Sequence, residues 1–216
     1  MRARVKICCI SSLEEARLAV AHGAAALGLV SAMPSGPGVI AEDEIARIAA
    51  VVPPGVDSFL LTSLREPDAI AAQHARCRTT TIQLCDALAD GAHAELRRAL
   101  PGVRLVQVVH VTGEASLDEA RAVAPHVDAL LVDSGNPSLA VKQLGGTGRV
   151  HDWALSRRIR DAVDKPLFLA GGLDEHNVAE AIRRVAPFGV DLCSGVRAGG
   201  RLDEPRLARF MRAAAG

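Results

Sequence analysis

Two residue types in this chain are placed where acid–base chemistry needs them. Cys8 ends a short apolar run, Val5-Lys6-Ile7-Cys8, and Asp133 closes another, Ala129-Leu130-Leu131-Val132-Asp133. Side chains alternate along a strand, so Lys6 and Cys8 share one face while Val5, Ile7 and Cys9 share the other. The apolar set suits a helix layer, which sends Lys6 and Cys8 inward. A thiolate can take a proton from carbon, and a protonated carboxyl can give one to oxygen. Burying a carboxylate after an apolar strand is costly unless it has work to do. Thr81, Gln83 and Cys85 share a face opposite Ile82 and Leu84, and Asp191 and Cys193 share another. Two readings stay open for Cys8, a base or a small buried hydrophobe. Asp191 is a site residue or a turn cap. Cys9, Cys77 and Cys193 read as packing.

Glycine-rich segments form the second group: Gly145-Gly146-Thr147-Gly148, Gly171-Gly172 and Ser194-Gly195. Backbone N–H groups in such loops approach a phosphate closely. The seven histidines show no H-x-x-x-H or H-E-x-x-H spacing, so no metal site is expected.

These residues need a scaffold. Short Val/Ile/Leu-rich runs begin near Val5, Ala26, Val56, Thr80, Val103, Ala129, Pro166 and Gly189. Helical-period segments alternate with them: Leu13–Ala21, Glu42–Val51, Pro67–Ala75, Gly91–Leu100, Leu117–Ala124, Asp152–Val163, Glu175–Val185 and Glu204–Ala214. A strand followed by a helix, repeated this way, predicts a (β/α)8 TIM barrel formed as one domain over residues 1–216. Catalytic groups of such barrels sit at the C-terminal strand ends, where Cys8, Asp133 and the glycine loops fall. Ser12-Leu13-Glu14-Glu15 and Ser116-Leu117-Asp118-Glu119 read as capping boxes. Their similarity fits either a duplicated half-barrel or chance.

Composition narrows the partners. The 216 residues carry 25 Lys plus Arg and 25 Asp plus Glu, for a net charge of zero. Such a chain has no overall field for nucleic acid. Aromatics are only 2%, so no stacking platform is available for single strands. No window approaches the ~18 continuous apolar residues of a membrane span. The N-terminus lacks the pattern of a signal peptide. Five cysteines without a CxxC pair suit reduced thiols in the cytoplasm.

Taken in order, Val5-Lys6-Ile7-Cys8, Gln83-Leu84, Leu131-Val132-Asp133-Ser134, Gly145-Gly146-Thr147-Gly148, Asp152-Trp153, Leu169-Ala170-Gly171-Gly172-Leu173, Asn177-Val178, Val190-Asp191 and Ser194-Gly195-Val196 resemble the phosphoribosylanthranilate isomerase family of tryptophan biosynthesis. The resemblance runs the length of the chain. It implies an Amadori rearrangement of an N-(5-phosphoribosyl) amine, aminoaldose to aminoketose, without metal or organic cofactor. It makes Cys8 the general base and Asp133 the general acid. Lys6, Gln83, Gly146, Thr147, Gly148, Gly171, Gly172, Asp191, Ser194 and Gly195 become substrate- or phosphate-binding residues. Lys6 is the cation placed to favour a Cys8 thiolate. The implied partner is a small phosphoribosyl substrate, with the protein a monomer or homodimer.

Departures are local. The family's K-I-C-G reads Lys6-Ile7-Cys8-Cys9, Q-L-H-G reads Gln83-Leu84-Cys85-Asp86, and S-G-V-E reads Ser194-Gly195-Val196-Arg197. The S-P-R segment after strand 2, whose Arg helps hold the anthranilate carboxylate, is replaced by Met33-Pro34-Ser35-Gly36-Pro37-Gly38. Arg149, His151 and Arg197 are the candidate replacement cations. Two alternatives follow: a paralogue that isomerises a different phosphoribosyl or sugar-phosphate substrate, or a non-catalytic barrel that binds a phosphate ligand.

Overall fold

The computed structural model describes residues 3–136, 138–139, 141–145 and 150–216. Eight parallel strands close in chain order into a barrel: β1 (Arg4–Ile7), β2 (Ala26–Val30), β3 (Asp57–Thr62), β4 (Thr81–Leu84), β5 (Arg104–His110), β6 (Ala129–Asp133), β7 (Leu167–Leu169) and β8 (Gly189–Leu192). Between and after them run α1 (Leu13–Ala21), α2 (Glu42–Ala49), α3 (Pro67–Cys77), α4 (Ala92–Ala99), α5 (Ala115–Val123), α6 (Trp153–Asp161), α7 (Val178–Val185) and α8 (Glu204–Ala215). The expected (β/α)8 barrel is therefore the observed fold.

Alternation along each strand makes two apolar layers. Ile7, Leu60, Ile82, Leu84 and Leu130 face outward and pack under the helices; all are fully buried. Each such side chain contributes roughly 1.5–3 kcal/mol. The lumen holds Cys8, Phe59, Cys85, Val106, Leu131 and Phe168. Phe59 and Phe168 meet edge to face at 6.0 Å and fill the lower barrel. Gly189 lets that ring in, since a Cβ there would lie 2.6 Å from Phe168.

The helix starts divide. Ser12 caps α1 as expected, its hydroxyl accepting from the Glu15 N–H at 3.2 Å. Ser116 does not cap α5. It lies inside the helix, donates to the His110 carbonyl at 2.9 Å and accepts from the Thr112 N–H at 3.1 Å. A serine hydroxyl satisfies whichever backbone groups are nearest, and here these belong to the end of β5. The similar segments thus do different local jobs. Helix α7 begins at Val178 rather than Glu175, because the Asp174 carboxylate accepts from the N–H groups of His176 and Asn177 and holds a turn there.

Candidate active site

The C-terminal strand ends gather around one cleft. Cys8 after β1, Gln83 and Cys85 from β4, Asp133 of β6, Gly171 and Gly172 after β7, and Asp191 and Ser194 around β8 all line it. So do Met33, Ser35, Gly36 and Pro37 of the loop after β2.

Asp133 is buried, at 7% exposure. Its Oδ1 accepts from the Ser134 N–H at 2.7 Å. The loop after β6 closes on the other oxygen: a Cβ on Gly145 would lie 2.8 Å from Oδ2. Burial pushes the carboxyl up, with Asp191 adding to it, while the Ser134 bond and His110 oppose. The direction is the one a proton donor needs.

Cys8 is buried at 7%, its thiol facing β2. A Cβ on Gly28 would lie 2.9 Å from the Cys8 Sγ, 3.0 Å from its Cα and 3.1 Å from the Lys6 Nζ. Gly28 therefore makes room for both groups. Gly28→Ala is expected to lower kcat by roughly tenfold or more through displacement of the thiol. Overpacking of this kind costs about 1–3 kcal/mol, so the melting temperature measured beside kcat separates misplacement from unfolding.

Lys6 lies beneath the cleft and does not line it. It is fully buried and donates to the Asp191 Oδ1 at 2.9 Å, across directly paired positions of β1 and β8. Burial lowers the ammonium's pKa, but Asp191 and the thiol of Cys8 more than offset this and hold it raised. Gln83 carries a separate signal: it is 4% exposed, and its Oε1 has no hydrogen-bond partner. Gly171 and Gly172 both take left-handed backbone, and the Asn177 side chain holds their loop by donating to the Gly172 carbonyl at 2.9 Å. At Gly195 a Cβ would lie 2.2 Å from the Leu173 carbonyl oxygen, so the chain passes close to that loop there. Gly146, Thr147, Gly148 and Arg149 lie outside the described residues.

Four expectations need correction. Cys9 does not face the helices. Strand β1 ends at Ile7, and Cys9 turns through left-handed backbone at φ 62°, which brings its side chain into the cleft. That conformation costs a non-glycine residue about 1–3 kcal/mol. Cys193 also lines the cleft rather than only packing. Arg197 is no free cation: its guanidinium donates to both Glu15 carboxylate oxygens at 3.0 Å and to the carbonyls of Cys9 and Gly200. His151 does not serve either. It contacts the Ser156 hydroxyl at 2.6 Å, and burial pushes it down to about 4, so it is neutral.

His110, not among the expected site residues, ends β5 directly beside Asp133. Its Nε2 contacts the Cys85 carbonyl at 3.1 Å, and its Nδ1 is buried without a partner. A polar residue ending Val108-Val109-His110 was the available signal. Lys142 was also missed. It pairs with Asp86, while the Ser35 hydroxyl donates to the Lys142 carbonyl at 2.6 Å, joining the loops after β2, β4 and β6.

Residues 5–213 match the family model for N-(5'-phosphoribosyl)anthranilate isomerase. The chain belongs to the N-(5'-phosphoribosyl)anthranilate isomerase family. A Methanocella arvoryzae member is 35% identical, with 95% of this chain and 94% of that protein covered. A Haloferax volcanii N-(5'-phosphoribosyl)anthranilate isomerase is 38% identical, with 98% and 92% covered. Among solved structures, the Thermotoga maritima phosphoribosyl anthranilate isomerase superposes with a TM-score of 0.82 at 30% identity, covering 98% of each chain. Another family structure holds reduced 1-(o-carboxyphenylamino)-1-deoxyribulose 5-phosphate and superposes with a TM-score of 0.82 at 28% identity, again with 98% of each chain covered. No described helix in this family member is long and apolar enough to cross a membrane.

Proposed function

We propose that the chain catalyses the Amadori rearrangement of N-(5-phosphoribosyl)anthranilate in tryptophan biosynthesis, as a single cytoplasmic domain that is a monomer or homodimer and needs no cofactor. The observation that carries this reading is the convergence of Cys8 and Asp133, from separate strands, on one cleft with the Gly171-Gly172 loop. Asp133 gives its proton to the ribose ring oxygen. The C1–O bond breaks, and the nitrogen lone pair forms the C1=N bond of a Schiff base. The Cys8 thiolate then removes the C2 proton. The electron pair forms C1=C2 and neutralises the nitrogen, and the enol-amine becomes the ketone as C1 takes a proton. The phosphate is assigned to Gly171, Gly172, Ser194 and Gly195 together with Gly146, Thr147 and Gly148. The unpartnered Gln83 oxygen accepts from a substrate hydroxyl or N–H. Asp191 and Lys6 hold the floor beneath Cys8. The purified protein should quench the fluorescence of the anthranilate adduct formed in a coupled assay, and Cys8→Ala should abolish the decay. No decay with the unaltered protein would reject the reading.

One observation favours a second amine. Among the described residues lining the cleft, the charged groups are Asp133 and Asp191, with no cation to meet an anthranilate carboxylate. On this reading the phosphoribosyl chemistry is kept and the amine differs. Pro37→Arg should then lower KM for the anthranilate adduct by about tenfold or more, since a hydrogen bond to a charged group contributes roughly 1.5–3 kcal/mol. An unchanged KM would remove the second reading.

A further inference from the structure

Four of the five cysteines, Cys8, Cys9, Cys85 and Cys193, line the cleft. Cys85 sits deep, at 1% exposure, beside Gln83. The other three sit together at the barrel mouth: the Cys8 N–H donates to the Leu192 carbonyl at 2.8 Å, and Cys193 packs against the lumen cluster that holds Cys8 and Cys9. The Cys9 thiol reaches the Pro37 carbonyl at 3.7 Å.

The backbone is arranged around that thiol. Cys9 keeps a left-handed conformation that glycine would adopt without strain. The loop after β2 is shaped to fit it: a Cβ on Gly38 would lie 2.4 Å from the Cys9 Cβ. Acid–base chemistry needs only one base, so nothing in the proposed reaction uses Cys9 or Cys193. Cys193 is the half-exposed member, while Cys9 is 4% exposed. Access from solvent therefore leads to Cys193 first.

We propose that Cys9 and Cys193 are a reversible peroxide-responsive dithiol whose disulfide closes the cleft beside Cys8. The Cys193 thiolate attacks a peroxide oxygen; the S–O bond forms, the O–O bond breaks, and water or an alcohol leaves. Cys193 is now a sulfenic acid. The Cys9 sulfur attacks it, the S–S bond forms, and water departs with the sulfenic oxygen and the Cys9 proton. The peroxide takes up two electrons, and the two thiols supply them. The roles follow the surroundings. Cys193 is held below the ordinary thiol range by the Cys9 hydrogen bond, against burial and with help from Arg197. Cys9 is held well above it by the same bond, by Cys8 and by burial. A bridge between neighbours Cys8 and Cys9 would close a strained ring, and Cys9, which the proposed reaction does not use, is the partner assigned to Cys193.

The test treats the purified full chain with hydrogen peroxide and reads intact mass, free thiols and linked peptides. Loss of two hydrogens and two thiols is expected, with the 7–17 peptide joined to the one containing Cys193, all reversed by dithiothreitol. Cys8→Ala should keep the bridge, which assigns it to Cys9. Cys9→Ser should leave a sulfenic acid at Cys193, trapped by dimedone, and Cys193→Ser should form no bridge. Turnover should fall at least tenfold on oxidation and return on reduction. These mass readouts do not depend on the substrate. Retention of all five thiols, loss of the bridge in Cys8→Ala, or oxidation confined to Cys8 would overturn the proposal.

Discussion

Asp133→Asn is expected to reduce turnover by about 10²- to 10⁴-fold, the usual contribution of a positioned proton donor, and to make the protein more stable at neutral pH. Both effects have one cause. The folded protein holds the Asp133 proton more tightly than the unfolded chain does, because burial raises the carboxyl. Such a group lowers stability as pH rises through its unfolded value near ~3.9, and the whole penalty is present above the folded value. Asparagine carries no charge and can still accept from the Ser134 N–H. The variant should therefore match the parent at acid pH and exceed it above. Each unit of displacement corresponds to about 1.4 kcal/mol, or a rise of roughly 3–6 °C in melting temperature for a chain of this size. Thermal melts across that range check it. A variant less stable at neutral pH would show that the carboxylate is held for structure rather than for proton donation.

Lys6→Met should have the largest effect on stability, a loss of about 3–5 kcal/mol, because removing one partner leaves a buried charge uncompensated. The partner is Asp191, which is 6% exposed and directly opposite on β8. The lysine's raised pKa sets the pH window. A base with a raised folded value contributes its full stability below its unfolded value near ~10.4 and loses it only as pH rises through the folded value. The cost should therefore be fully expressed at neutral pH. Urea unfolding measures it, and Lys6→Met with Asp191→Leu should recover much of the loss, since an apolar pair of similar volume is often neutral. A loss under about 1 kcal/mol in the single variant would show that water or another group reaches Asp191.

Much of the barrel was legible in the chain because strand alternation and helical period are enforced by burial on both sides of each strand. Ile82 and Leu84 against Gln83 and Cys85 read correctly for that reason. Cys8 and Asp133 were visible as polar groups where apolar strands stop. The failures lie where a local contact overrides the period. Cys9 left the alternation because its backbone turns left-handed, a conformation that a non-glycine residue does not advertise. Ser116 looked like a cap but bonds to β5. Arg197 offered the right charge, yet Glu15, far away in the chain, takes it. Lys6 was expected at the substrate and instead braces Asp191 from below. For Arg197 and Lys6 the outcome was decided by a partner distant in sequence, Glu15 and Asp191.

In the proposed reaction Cys8 removes the C2 proton after Asp133 opens the ring. Deuterium at C2 of the phosphoribosylanthranilate adduct tests it most directly, followed through single turnovers of the unaltered protein and of Cys8→Ala. Slowed turnover with release of the label to water is expected from the unaltered protein, and no release above the uncatalysed rate from Cys8→Ala. Undiminished release of deuterium by Cys8→Ala would contradict that role for Cys8.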